Sequence, residues 1–245
     1  MPYSKSWQHE SMTKPLAQST LPAAPSLDGA LSRVRHPARY SAALLPTLAE
    51  YLRGCTRVLD PFAGVGGIFA LAPLLPGCKI DALEIESEWA AQDPRITLGN
   101  ALALPWPSVT FDAVCTSPCY GNRMADHHEA RDASKRNTYR HALGRPLHPD
   151  NAGALQWGAA YRDFHLLAWA EARRVLSPGG RFVLNVKDHI RAGEVQPVTD
   201  WHIQTILALG LRLVRRAEIA CPGQRRGANG NLRLPAETVI LFGVP

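Results

Sequence analysis

The chain has 245 residues, a formal net charge of +6 and a sequence pI near 9.3, with five scattered cysteines. No pair of cysteines has CxxC spacing, which argues against a zinc site and a disulfide framework and fits a reducing compartment. No apolar run approaches the ~18 residues of a membrane-spanning helix and the amino terminus lacks an apolar signal core, so we expect a cytoplasmic protein with no metal and no membrane partner.

Residues 1–33 are polar and rich in proline and are expected to form a flexible arm, whereas residues 34–245 are expected to form one domain. Residues 36–52 follow, and their leucines have the spacing of one face of a helix. Predicted strands then cover 56–60, 79–86, 95–99, 111–117, 181–187, 211–220 and 236–243, and predicted helices cover 67–75, 160–176 and 199–210. This alternation predicts an α/β fold with a mostly parallel seven-stranded sheet. A loop without a helix joins the last two strands, so we expect that pair to be antiparallel.

The stretch "VLDPFAGVGG" ends the first predicted strand with Asp60 and turns through Gly64 and Gly66 into a helix. Glycines let the backbone approach a ligand closely, and a helix amino terminus offers free N–H groups. Glu84 ends the second strand, where a carboxylate accepts hydrogen bonds from ribose, and Asn100 follows the third, placed to face an adenine ring. The alternative is a tight turn beside a solvated acid. Polar residues at successive strand ends favour a nucleoside-binding site.

These motifs resemble those of S-adenosylmethionine-dependent methyltransferases, in particular the DNA amino-methyltransferases, over about residues 36–243. "DPFAGVGG" resembles their first cofactor motif and "HPARYSAALL" the helix motif that covers the methionine end, while "ALEIE" resembles the ribose motif and "TLGNAL" the adenine motif. The resemblance implies a Rossmann-like methyltransferase fold and S-adenosyl-L-methionine as the cofactor. The residues implied to bind it are His36, Asp60, Pro61, Phe62, Ala63, Gly64, Gly66, Glu84, Asn100 and Ala101.

The stretch "TSPCYG" resembles the catalytic [ST/D/N]-P-P-[YFW] tetrapeptide of the same family. An exocyclic base amine is a poor nucleophile because its lone pair is delocalised into the ring. Ser117 Oγ and the Pro118 carbonyl are expected to accept hydrogen bonds from that amine and so free its lone pair, while Tyr120 stacks on a base swung out of the duplex. Methyl transfer is then direct, and positioning supplies much of the rate. The alternative is an ordinary strand exit with a buried aromatic.

The chain departs from the family pattern at two positions and has no visible target-recognition domain. Cys119 stands where the family has a second proline, and Asn100 stands where it usually has Asp. A Pro-Cys dipeptide also occurs in cytosine-C5 methyltransferases, whose thiolate attacks the ring. Those enzymes also need a glutamate ahead of an Asn-Val pair, and the comparable strand here has Leu184 instead. We therefore interpret Cys119 as a small apolar substitute for proline.

Basic residues are concentrated in an insertion at about 121–158 and in a Gly/Arg-rich loop at 221–235. Basic groups hold phosphates and aromatic side chains stack on bases, so we expect both segments to contact DNA. The alternatives are a solvated surface loop and a plain basic hairpin. The residues predicted to bind substrate are Arg123, Arg136, Arg140, Arg225 and Arg226.

The leading hypothesis is a site-specific DNA methyltransferase that modifies an exocyclic amine. Serine at the first motif position resembles the cytosine-N4 subgroup, and the adenine-N6 enzymes are the first alternative. A cytosine-C5 or RNA methyltransferase comes next, and the non-enzyme alternative is a nucleic-acid-binding module that kept the fold. We expect a monomer or a weak dimer.

Overall fold

The structure is a computed structural model, which describes residues 36–37, 40–121, 138–191, 193–221 and 234–245. The strands are β1 (Arg57–Asp60), β2 (Lys79–Glu84), β3 (Ile96–Leu98), β4 (Phe111–Thr116), β5 (Leu176–Val186), β6 (His189–Arg191), β7 (Glu194–Gln196), β8 (Arg212–Ala220) and β9 (Ala236–Gly243). The α-helices are α1 (Leu45–Leu52), α2 (Ser87–Ala90), α3 (Tyr139–Leu143), α4 (Ala159–Val175) and α5 (Val198–Ala208), and 3-10 helices span Ala42–Leu44, Gly67–Leu74 and Ala152–Ala154. The predicted arm at 1–33 lies outside the described residues.

Seven of these strands form one sheet in the order β3-β2-β1-β4-β5-β9-β8. Strands β1 to β5 are parallel, and β9 is antiparallel to both β5 and β8. The predicted mostly parallel sheet with an antiparallel last pair is confirmed. The chain runs outward from β1 to β3 and then returns to β4, so the strand order reverses between β1 and β4. Ligands bind at such a reversal, outside the carboxyl ends of the strands.

Both faces of the sheet are covered, so consecutive strand residues enter different parts of the core. Val58 packs in a cluster with Leu48 of α1, whereas Leu59 packs in a second cluster with Trp169 of α4. The strands β1, β4 and β9 are therefore mostly buried on both sides, whereas the edge strand β8 is mostly exposed. This burial leaves the strand ends as the place where polar residues of the central strands reach a cavity.

Several local elements differ from the sequence-based expectation. The helix expected at 67–75 is a 3-10 helix, and it contains Pro73, which lacks an N–H and is incompatible with a regular α-helical ladder. The helical leucine pattern begins later than 36, with a 3-10 turn at Ala42–Leu44 that leads into α1. Strands β6 and β7 form a short antiparallel hairpin that the sequence did not suggest.

Within the described ranges, no helix combines the length and the apolar character needed to cross a membrane.

Candidate active site

A cavity of about 370 Å³ lies at the carboxyl ends of the central strands, where the strand order reverses. This volume falls in the range of small-molecule sites. The wall carries most of the residues expected to bind a cofactor or to act on a substrate. These are His36, Pro61, Phe62, Ala63, Gly64, Glu84, Asn100, Ala101, Ser117, Pro118 and Tyr120. Asp60 and Gly66 were also expected to bind the cofactor, but neither residue lines the cavity.

The side chain of Asp60 connects the ends of β1 and β4 by hydrogen bonds. It is buried, and its Oδ1 accepts hydrogen bonds from Thr116 Oγ1 at 2.7 Å and from the Phe62 N–H at 3.0 Å. The Tyr40 hydroxyl donates to Oδ2 at 3.4 Å. Burial raises the pKa of Asp60 to about 6, although these hydrogen bonds oppose the shift. The carboxylate thus ties the glycine turn after β1 to the residue just before the Ser-Pro-Cys-Tyr motif.

The glycine turn needs its glycines for two different reasons. Gly64 has φ +55°, and a Cβ there would lie 3.0 Å from His36 Nε2 at the cavity wall. Gly66 has φ +83°, and a Cβ there would lie 2.7 Å from Phe69 Cδ2. Side chains are strained at both backbone conformations. Gly64 therefore shapes the cavity directly, whereas Gly66 shapes the packing of the turn.

Glu84 places a carboxylate in the cavity and fixes it with backbone amides. Its Oε2 accepts the Gly64 N–H at 2.9 Å, and its Oε1 accepts the Glu86 N–H at 2.9 Å. Burial raises the pKa of Glu84 to about 7. Each oxygen of a carboxylate accepts more than one hydrogen bond, so the group retains capacity for ligand hydroxyls. Its expected role with ribose stays a prediction.

Asn100 has both ends of its amide occupied. Oδ1 accepts the Leu102 N–H at 2.9 Å, and Nδ2 donates to Asp150 Oδ2 at 2.9 Å. Asp150 also lines the cavity. The carboxylate beside Asn100 therefore comes from Asp150, a residue 50 positions later in the chain, whose place in the site was not predicted from the sequence.

The other end of the cavity contains a cluster of four polar side chains. The hydroxyls of Ser117 and Tyr120 are 2.8 Å apart, and the Tyr120 hydroxyl donates to Glu237 Oε2 at 3.3 Å. Asn185 Nδ2 lies 3.1 Å from Ser117 Oγ, 3.0 Å from the Tyr120 hydroxyl and 2.7 Å from Glu237 Oε2. Burial, and next the charge of Glu237, raise the pKa of Tyr120 well above its ordinary value.

Asn185 and Glu237 are functional candidates that the sequence analysis did not identify. They come from neighbouring antiparallel strands, and Asn185 pairs with Val239, two residues beyond Glu237. Asn185 is 1% exposed, so it is a buried polar side chain at the end of an otherwise apolar strand. That interruption of the apolar pattern was the available signal, because buried polar groups need a partner.

Cys119 is half-buried at the cavity wall. Burial raises its pKa to about 12, so it carries a proton at neutral pH. Its Sγ lies 3.7 Å from the Tyr139 hydroxyl, and its backbone oxygen accepts the Tyr161 hydroxyl at 2.7 Å. A nucleophilic cysteine is a thiolate with a lowered pKa, so this environment does not favour attack on a base.

The carboxyl-terminal part of the predicted insertion, residues 138–158, is folded against the cavity rather than being an irregular loop. The buried carboxylate of Glu86 accepts the Arg145 guanidinium at 2.7 Å, the His148 N–H at 2.8 Å and Asn151 Nδ2 at 2.7 Å. Glu86 therefore fixes the stretch that presents Asp150 to the cavity. This tertiary anchor explains why these residues fold against the cavity, whereas their expected contact with DNA stays a prediction.

The predicted substrate arginines are not brought together by what the structure describes. Arg140 is exposed on α3 and does not line the cavity. Residues 122–137 and 222–233 lie outside the described part of the chain, so the structure does not place the other four, Arg123, Arg136, Arg225 and Arg226. Among the described residues, no group of three or more His, Cys, Asp or Glu is arranged to hold a metal ion.

Comparison with known proteins supports the assignment of the fold more strongly than any assignment of the substrate. No family model matches the chain. The chain is 30% identical over 104 residues to a tRNA (guanine(10)-N2)-dimethyltransferase from Pyrococcus abyssi, a match that covers 36% of this chain and 31% of that protein. The aligned region is thus about a third of the length of this curated relative.

Many solved structures resemble most of the chain, including the following two. An S-adenosylmethionine-dependent methyltransferase from Aquifex aeolicus has 13% identity and a TM-score of 0.50, covering 84% of this chain and 94% of its own. The cyclase SpnF has 15% identity and a TM-score of 0.50, covering 82% and 80%. Together with the strand order, these neighbours show a Rossmann-like methyltransferase fold. The cyclase shows that this fold also carries other chemistry.

Proposed function

We propose that the protein is an S-adenosylmethionine-dependent methyltransferase that modifies the exocyclic amine of a nucleobase. The observation that carries the proposal is that one cavity joins the glycine turn and Glu84 to Ser117 and Tyr120. The first pair suits a nucleoside cofactor, and the second pair suits an amine substrate. Neither pair alone would favour methyl transfer over simple nucleoside binding.

The residues of the first end fit S-adenosylmethionine. Gly64 leaves room where any side chain would meet His36, and Glu84 offers a buried acceptor suited to ribose hydroxyls. Asp150 adds an acceptor suited to the adenine amine beside Asn100. When bound, the cofactor supplies an electrophilic methyl group on a sulfonium centre. The other residues that would hold it are Pro61, Phe62, Ala63 and Ala101.

At the second end, the chain's contribution is to orient the amine. Ser117 Oγ and the Pro118 carbonyl accept hydrogen bonds from the NH2 group and direct its lone pair toward the methyl group. Tyr120 lines the same wall and offers an aromatic face for a base. Transfer is direct, so rate comes from position and from acceptors that gain strength in the transition state.

Two classes of nucleic acid are candidates for the substrate. Ser117 in the catalytic motif favours DNA with cytosine N4 as the target, and adenine N6 is the alternative. The Pyrococcus abyssi relative, named for guanine N2 of tRNA, favours RNA as the second class. All three targets are exocyclic amines. Because the thiol of Cys119 is protonated, cytosine C5 is a weaker candidate for the methylated atom.

A transfer assay with methyl-labelled S-adenosylmethionine tests this proposal. Unmodified DNA, unmodified tRNA and free nucleosides are supplied separately, and label in the polymer is measured. We expect label in DNA, or in tRNA if the second candidate is correct. Tight binding of either polymer without any transfer would support a nucleic-acid-binding module and would overturn the proposal.

A further inference from the structure

The polar cluster of Ser117, Tyr120, Asn185 and Glu237, at what we call the reaction end of the cavity, accommodates an arrangement of hydrogens that leads toward Glu237. A carboxylate only accepts hydrogen bonds, so the Tyr120 hydroxyl donates its one hydrogen to Glu237 Oε2 in the contact between them. In this arrangement the hydrogen between Ser117 and Tyr120 comes from Ser117. Ser117 Oγ keeps two lone pairs, and Asn185 Nδ2 occupies one of them. The second lone pair remains for a donor in the cavity.

Asn185 fixes this arrangement. Its Nδ2 lies 2.7 Å from Glu237 Oε2, a distance that requires a donor facing a carboxylate. The opposite orientation would place an amide oxygen against the carboxylate. In the orientation described, Asn185 Oδ1 is buried and has no hydrogen-bond partner among the described residues, which carries a cost of about 1–3 kcal/mol. The cluster therefore retains a donor amide toward Glu237 despite that cost.

We propose that Ser117, Tyr120 and Glu237 form a relay that removes the proton from the methylated amine, an inference that rests on the proposed function. As the amine nitrogen bonds to the methyl carbon, the carbon–sulfur bond breaks and sulfur keeps its electron pair. The cationic nitrogen then gives a proton to Ser117 Oγ. The Ser117 proton passes to the Tyr120 oxygen, and the Tyr120 proton passes to Glu237 Oε2. The neutral methylamine is left, and one proton resides on Glu237.

The surroundings of the relay suit this role. Glu237 is half-buried and lines the cavity wall, so its proton has a route to solvent. Asn185 Nδ2 holds Glu237 in place without being able to accept a proton. Among the titratable groups, Glu237 and Cys119 raise the pKa of Tyr120, and Tyr120 in turn raises the pKa of Tyr40, Tyr139 and Tyr161. Glu237 raises and Lys187 lowers the pKa of Cys221.

Glu237→Gln is the informative variant, because glutamine keeps the size and an acceptor oxygen but cannot take up a proton as a carboxylate does. We expect its single-turnover methylation to fall at least tenfold with substrate KM unchanged, since general base catalysis contributes about 10²–10⁴-fold. Glu237→Ala should be equally slow and should regain rate with added formate. Glu194→Gln, which removes an exposed carboxylate of β7 outside the cavity, is the matched control and should keep the wild-type rate.

A second readout does not depend on turnover. With 3-fluorotyrosine in place of Tyr120, the 19F resonance of the cofactor-free protein reports ionisation of that phenol. Glu237→Gln should lower the pKa of this phenol, because the neighbouring negative charge is lost, and Glu194→Gln should leave it unchanged.

A Glu237→Gln protein that methylates at the wild-type rate would overturn the relay and leave the proposed function standing. Loss of rate without rescue by formate, and without a change in the fluorotyrosine pKa, would assign Glu237 a structural role only. A wild-type protein that methylates no nucleobase would overturn the proposed function and the relay together.

Discussion

The two ends of the cavity hold their polar groups by different means. At the end with the glycine turn, which we call the cofactor end after its proposed role, backbone N–H groups of Gly64 and Glu86 fix the carboxylate of Glu84. At the reaction end, side chains from β5, β9 and the loop after β4 hold one another, with Asn185 at the centre. The first arrangement follows from the backbone path of the turn. The second exists only when distant parts of the chain have come together.

This difference predicts how mutations combine. A substitution at Glu84 removes one acceptor and leaves its backbone donors in place for other partners. A substitution within the cluster of Ser117, Tyr120, Asn185 and Glu237 removes hydrogen bonds from at least two of the other three members. Such networks give strongly non-additive effects in double-mutant cycles, whereas separate sites add.

The largest effect is expected at the reaction end. Ser117→Ala should lower single-turnover methyl transfer on the order of 100- to 1,000-fold, the range seen when one preorganised hydrogen-bonding group is removed from a transition state. Cofactor affinity measured by calorimetry should stay the same, because Ser117 serves the amine. Retention of transfer within about threefold would mean that Ser117 does not act on the amine.

The next effect is on stability and belongs to the cofactor end. The pKa of Glu84 is raised in the folded chain to about 7, so its folded state favours the protonated form. Its contribution to stability is fully present below the unfolded pKa and is lost as pH rises through about 7, a loss of roughly 3 kcal/mol. Denaturant unfolding of the cofactor-free protein between pH 5 and 8 measures this loss. Glu84→Gln should remove most of the decline, and an unchanged slope would contradict the burial argument.

A smaller effect on cofactor affinity distinguishes the space that Gly64 leaves in the cavity from the positive φ that it adopts. Gly64→Ala and Gly54→Ala both place a side chain at positive φ, with a similar cost of about 1 kcal/mol in stability. Only at Gly64 does the added Cβ meet another group, His36. Calorimetry should show cofactor affinity lowered about tenfold, or 1.4 kcal/mol, in Gly64→Ala alone. Equal affinities in the two variants would place the cofactor elsewhere.

The smallest effect is expected at Cys119. Its thiol is half-buried and protonated, so Cys119→Ser should keep methyl transfer within about threefold in the labelled assay. Fluorinated cytosine in a DNA substrate should not become covalently attached to the wild-type protein. Covalent capture would establish thiolate attack and cytosine-C5 chemistry.

Much of the cofactor end could be predicted from the sequence because its parts are local. The glycine turn follows β1 directly, and parallel order alone brings Glu84 to the same edge of the sheet. The reaction end could be predicted only as far as Ser117 and Tyr120, which share one motif. Glu237 reaches the site because β9 inserts between β5 and β8, and no local pattern specifies that pairing. Asp150 depends likewise on the distant carboxylate of Glu86.

The most direct test of the account is the identity of the methylated atom. The purified protein, S-adenosylmethionine with a deuterated methyl group, and DNA or tRNA are incubated, and the digested nucleosides are analysed by mass spectrometry. The account predicts a deuterated methyl group on an exocyclic amine, with N4-methylcytosine in DNA as the first expectation. A methyl group on cytosine C5 or on a ribose oxygen, or no methylated nucleoside from either polymer, would contradict it.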